Sequence, residues 1–351
     1  KYACVKSGKK LVWKKKAEVV AIPKPASSVS PNPKASPAPI AWVEPAEPSS
    51  VRDLEKFVDG IAYWSWKKSN QKMLASSPNL GKFDLLIGPN TTPDNPNMLE
   101  AVSLTSRLFG NFKQPTNFQM VYASEKDIDW GQQQIDNLCD GNSCGYDVKG
   151  EAKKACNVPT TPCWGGLALR NQKSGMIMMY QTASDWGKKD LNHTQGTLEA
   201  HEYFHTVQSF NLAPITSGVL PRWLIEGSAT WVQSAAIFYE DYKSYLSEKN
   251  RTTDEITVRL KPKVEWLAAF LNPDPVKDWT YWDSYENYRL YDVGMLATEA
   301  LASVGGPDSV LNLFTRVGKG ETYAEAFQNE YAISWPDAVP ILARVIAAQI
   351  K

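Results

Sequence analysis

The chain has 351 residues, 43% hydrophobic and 11% aromatic, which suffices for a buried core and, on length alone, for about two domains. Lys plus Arg and Asp plus Glu both total 38, so no global field draws the chain to nucleic acid or to an anionic membrane. No apolar run reaches the roughly 20 residues that span a bilayer; the most apolar late stretch, 339–350, is shorter and carries Arg344.

A start at Lys1 rather than Met leads to the expectation that a leader or upstream segment has been removed. Residues 1–20 hold seven lysines and no acid before Glu18, with Cys4 and Trp13 among them. The segment KYACVKSGKKLVWKK resembles a short Cys- and Lys-containing module of secreted or surface proteins of actinobacteria. In that module a second cysteine lies just upstream, which implies a partner for Cys4 in the preceding sequence. The lysine run reads as a solvated face, with attachment to anionic cell-wall polymers as the functional alternative. Residues 21–50 hold eight prolines amid Ala and Ser, a composition that favours extended segments and builds no core, so they read as a linker.

From Val51 to the end, 51–351, the pattern becomes that of a folded domain. Val51, Leu54, Phe57, Val58 and Ile61 recur at helical spacing; 83–87 and 118–123 read as buried strands, with a helix over 98–109 between them. Four of the five cysteines, Cys139, Cys144, Cys156 and Cys163, fall in a polar, loop-like stretch, 139–163. An even local set on loops predicts two disulfides and an oxidising, secreted or cell-surface setting. Three pairings are open, neighbours in order being the simplest; a four-thiolate zinc site fits the spacings of five and seven poorly. Asp136, Asp140, Asn142 and Asp147 are a weaker candidate for Ca2+, an acidic solvated turn being the simpler reading. A further strand over 175–182 precedes helices over 196–209, 222–248, 290–304, 307–317, 322–331 and 335–350. The order divides 51–351 into an α/β part, 51–195, and a helical part, 196–351, and predicts an α+β fold with a mixed sheet.

The chemistry concentrates in TLEAHEYFHTVQ, residues 197–208. Residues four apart share one helix face, so the imidazoles of His201 and His205 converge on one cation, Zn2+ by preference, with Glu202 beside it as a general base. A catalytic zinc takes three protein ligands, and the only other histidine, His193, lies upstream, so a carboxylate completes the set. Glu226 follows His205 after twenty residues, enough for the first helix to end near Asn211 and a second to return antiparallel.

The block PRWLIEGSATWVQSAAIFYEDY, 221–242, resembles the third-ligand helix of gluzincins, the superfamily of thermolysin and the aminopeptidase N group, through Trp223, Leu224, Glu226, Gly227 and Ala229. Residues 291–327 are similar to the helical region after the zinc site in the aminopeptidase N and leukotriene hydrolase group. The resemblance implies a thermolysin-like zinc metallopeptidase domain acting on peptide or protein substrates, with His201, His205 and Glu226 as ligands. It also implies Tyr291 as donor to the reaction's oxyanion, because Tyr291-Asp292-Val293-Gly294 matches the group's Tyr-x-x-Gly pattern, with Tyr285 and Tyr288 as competitors. The aminopeptidases carry a glutamate in a Gly-x-Met-Glu-Asn motif before the zinc helix; Gly175 and Met176 lack it, which favours an endopeptidase. The strand 175–182 is then expected to be an edge to which an extended peptide adds. The alternatives are an aminopeptidase-type exopeptidase and a non-catalytic surface-binding protein that keeps the fold.

Overall fold

The computed structural model describes residues 2–7, 10–15, 42–140, 143–145, 147–156, 163–182, 189–215, 218–272 and 288–350. It forms two units, Lys1–Val43 and Glu44–Lys351. In the first, β1 (Tyr2–Ser7) pairs antiparallel with β2 (Lys10–Lys15), with Cys4 opposite Trp13. Residues 16–41, which include most of the expected linker 21–50, lie outside the described residues.

The second unit opens with tight 3-10 turns at Val51–Lys56 and Val58–Gly60 rather than the α-helix expected there, and α1 (Ile61–Ala75) follows. Tyr63 OH donates to Glu44 (3.0 Å) and Trp64 Nε1 to the carbonyl of Pro45 (2.9 Å), so the last residues of the expected linker belong to this unit. Next come β3 (Lys82–Ile87), α2 (Met98–Leu108), β4 (Asn117–Ser124), α3 (Ile128–Leu138), the short α4 (Glu151–Ala155), β5 (Gly165–Arg170) and β6 (Ser174–Gln181). The sheet runs β3-β4-β6-β5, with the first three parallel and β5 antiparallel. This is the mixed sheet expected, with one correction: β6 is paired on both sides, and the edges are β3 and β5. The continuous apolar run of β6 is what burial on both faces requires. Phe118, Met120, Tyr122, Ile177 and Met179 face the large helical core, while Val121, Ala123, Met176, Met178 and Tyr180 face a smaller core under α3 and α4. Two disulfides, Cys139–Cys144 and Cys156–Cys163, border that smaller core.

The helical part comprises α5 (Leu191–Thr194), α6 (Thr197–Leu212), α7 (Arg222–Ile237), α8 (Tyr242–Thr252), α9 (Val264–Leu271), α10 (Tyr288–Gly318), α11 (Tyr323–Tyr331) and α12 (Trp335–Gln349). The helix expected over 222–248 is two, because Asp241 caps a new one by accepting from Ser244 N (2.8 Å). Gly306 (φ 75°, ψ 179°) followed by Pro307 interrupts α10, dividing it where the sequence predicts a break. Among the described residues no helix is long and apolar enough to cross a membrane.

Candidate metal centre

Helix α6 is buried on almost every side, sandwiched between the sheet and the helices α2, α7 and α10. Its first turn is tied to the sheet by Glu199, whose Oε1 accepts from Tyr122 OH (2.6 Å) and Asn95 Nδ2 (3.0 Å). Farther along, Gly175 on β6 leaves room for Thr206, since a Cβ there would lie 2.4 Å from the threonine methyl. These contacts fix the helix's rotation, and the rotation sets where His201, Glu202 and His205 point.

His201 and His205 bring their Nε2 atoms to 3.0 Å from each other. From α7, Glu226 Oε2 lies 3.4 Å from the first nitrogen and 3.2 Å from the second. A small tetrahedral ion with bonds of roughly 2.0–2.1 Å has ligand-to-ligand edges of roughly 3.3–3.4 Å, so this triangle has the right dimensions. Two imidazole lone pairs facing each other repel unless a proton or a cation sits between them. Without a cation, that electrostatic demand falls on the protonation of the three side chains. Burial opposes charge on His205, but the Glu226 carboxylate and its hydrogen bond outweigh it and raise the imidazole to about 9. Burial likewise opposes charge on Glu226, yet the two histidines hold it well below the usual carboxylate range. The three side chains can therefore hold a metal ion.

Glu202 stands next to the histidines against the edge strand. A Cβ added at Gly166 of β5 would meet its Cγ at 2.4 Å and its Oε1 at 2.7 Å, so only glycine lets this strand lie on the carboxylate. Burial raises Glu202 above the usual carboxylate range; His201 and His205 pull it down and Glu226 adds to the rise. The edge strand is itself anchored just upstream by the Cys156–Cys163 disulfide.

Helices α7 and α10 cross in backbone contact at two glycines. A Cβ at Gly227 would fall 2.1–2.6 Å from Gly294 backbone atoms, and one at Gly294 would fall 2.2 Å from the Trp223 carbonyl. Gly227 follows Glu226, and Gly294 lies one turn beyond Tyr291, so the crossing carries Glu226 on one side and Tyr291 on the other. The Tyr291 ring centroid lies 5.8 Å from that of His201. Tyr285 lies outside the described residues.

Sequence reasoning passed over three residues here. Gln208 Oε1 accepts from His205 Nδ1 (2.8 Å), Gln233 Nε2 lies 3.2 Å from His201 Nδ1, and Gly166 abuts Glu202. Gln208 alone had a local signal, its position three residues after His205 on the same helix face. The third histidine, His193, packs against Trp164 (5.9 Å between centroids) and is not part of the group. The acids considered for calcium do not gather among the described residues: Asp136 accepts from Gln132 and Asp147 from the Lys149 amide, and Asn142 is outside them. No family model, no curated protein and no solved structure matches the chain.

Proposed function

We propose that the chain is a zinc-dependent peptidase of the gluzincin type with a thermolysin-like domain, acting on extended polypeptide. The observation that carries the reading is the convergence of His201 and His205 from α6 with Glu226 from α7, with a buried carboxylate, Glu202, adjoining them. Two imidazoles and one carboxylate with a fourth position open is a donor set characteristic of catalytic zinc. Zinc, when bound, supplies Lewis acidity toward a carbonyl and lowers the pKa of water.

Glu202 accepts the proton of the attacking water and passes it to the leaving amine nitrogen; its raised affinity for protons in this buried setting suits both transfers. Tyr291, beside His201, donates its phenolic hydrogen to the developing oxyanion. An extended substrate adds by main-chain hydrogen bonds to the outer edge of β5, beside which no further strand lies among the described residues, rather than to β6, which is paired on both sides. A strand edge grips backbone anywhere along a peptide, which supports internal cleavage over removal of terminal residues. Two disulfides support an extracellular setting.

The test is metal analysis with hydrolysis of an unfolded polypeptide. The chain should hold one zinc, and Glu202→Gln should keep the zinc and lose hydrolysis, because an amide preserves shape without accepting a proton. Turnover by Glu202→Gln at the wild-type rate would overturn the assignment.

A further inference from the structure

We infer that Gln208 is a positioning residue that sets metal affinity by locking the tautomer of His205 to the helix that carries Glu226; this rests on the metal-site reading above. Gln208 is 3% exposed, so each of its polar atoms must find a protein partner. Its Nε2 donates to the Ile225 carbonyl (2.9 Å) and to Ser228 Oγ (2.9 Å), both on α7 and on either side of Glu226. Ser228 Oγ spends its own hydrogen on the Leu224 carbonyl, so toward Gln208 it accepts.

A peptide carbonyl has no hydrogen to give. The amide is therefore fixed with nitrogen toward α7 and oxygen toward α6, and that oxygen accepts from His205 Nδ1 (2.8 Å). His205 Nδ1 must then be the protonated nitrogen, and the Nε2 lone pair is left for the metal. The constraint passes from a carbonyl beside the third ligand, through one amide, to the tautomer of the second. A neutral amide does here what a carboxylate does in many histidine metal sites: it orients the ring without adding negative charge.

The experiment titrates Co2+ into the metal-free full chain, following the visible absorption of bound cobalt, alongside a thermal melt of each metal-free protein. Gln208→Met keeps the volume and removes both functions; it should weaken Co2+ binding about 10–100-fold, the loss typical of such outer partners. Gln208→Glu restores an acceptor for His205 Nδ1 and should recover part of that loss. A lower melting temperature in both variants with wild-type Co2+ Kd would show a merely structural role and overturn the proposal. Equal weakening in both variants would overturn it too, since the acceptor would not matter. If Gln208→Met does not fold, Gln208→Glu and Ser228→Ala decide: weakened binding in Ser228→Ala with Gln208→Glu nearer to wild type supports the lock, and wild-type Kd in Ser228→Ala refutes it. A wild-type chain that binds no Co2+ fails at the underlying metal reading instead.

Discussion

Replacing Gly166 by Ala tests the link between β5 and Glu202 without touching His201, His205 or Glu226. The new Cβ would begin 2.4 Å from Glu202 Cγ and 2.6 Å from its Cδ. Carbon atoms rest at roughly 3.5–4.0 Å, so carboxylate and strand must separate by about 1 Å. Glu202 cannot swing far, because it is buried on α6 against β5; the strand, paired among the described residues with β6 alone, shares the adjustment. A displacement of about 1 Å in a reacting group costs on the order of 10²-fold in rate, equivalent to about 2.7 kcal/mol of barrier. Expected in a quenched-peptide assay is therefore a fall of about 10²-fold in kcat/KM, with zinc content and melting temperature close to wild type. A Gly166→Ala protein with undiminished kcat/KM would refute the claim that β5 fixes the position of Glu202, and one that loses zinc would show that the strand acts on the ligands instead.

Tyr291→Phe should leave zinc and fold intact and lower kcat by about 10²–10³, the loss of one oxyanion donor; steady-state kinetics with wild-type kcat would remove Tyr291 from the site. Gly294→Ala drives a methyl into the Trp223 carbonyl and the Gly227 backbone, which cannot rotate away, so denaturant melts should show a loss of about 1–3 kcal/mol and weaker zinc binding. A wild-type melt would contradict the crossing. For the metal-free protein, His205 is raised from 6.5 to about 9, so the stability of its pairing with Glu226 is complete below 6.5 and is lost as pH rises through about 9. Glu226 is depressed from 4.5, so its share is complete above 4.5 and lost in acid. Thermal melts in chelator should peak between these limits and decline toward pH 9, while zinc, taking the proton's place, should abolish the alkaline decline; a flat chelated profile would contradict the pairing.

The convergence of His201, His205 and Glu226 was legible because its information is local: two histidines one helical turn apart, and a glutamate on the next long helix. The strands 82–87 and 117–124 and the helices α2 and α6 were legible from apolar runs and periodicity. The edge strand was not, since GGLALR opens with two glycines and has little β-propensity, and its place depends on pairing with a strand that follows it. The run SGMIMMYQ holds the opposite clue, apolar on both faces and hence interior, which outweighs its position next to α6. The 3-10 turns at 51–60 share the apolar spacing of an α-helix too closely to be told apart over so short a span. Gln233 and Gly166 escaped for a different reason: each matters only through a neighbour more than 30 residues away.

The glycine-to-glycine crossing of α7 and α10 bears on how this protein can diversify. Where two large side chains meet, one can shrink when the other grows, and a lineage drifts through paired exchanges. At Gly227 and Gly294 neither partner has anything left to give up, so that route is closed from both sides. The wall of the site carrying Glu226 and Tyr291 is thereby frozen as a unit, and inherited or engineered changes in what the site accepts must come from positions outside this crossing and outside the Gly166–Glu202 contact.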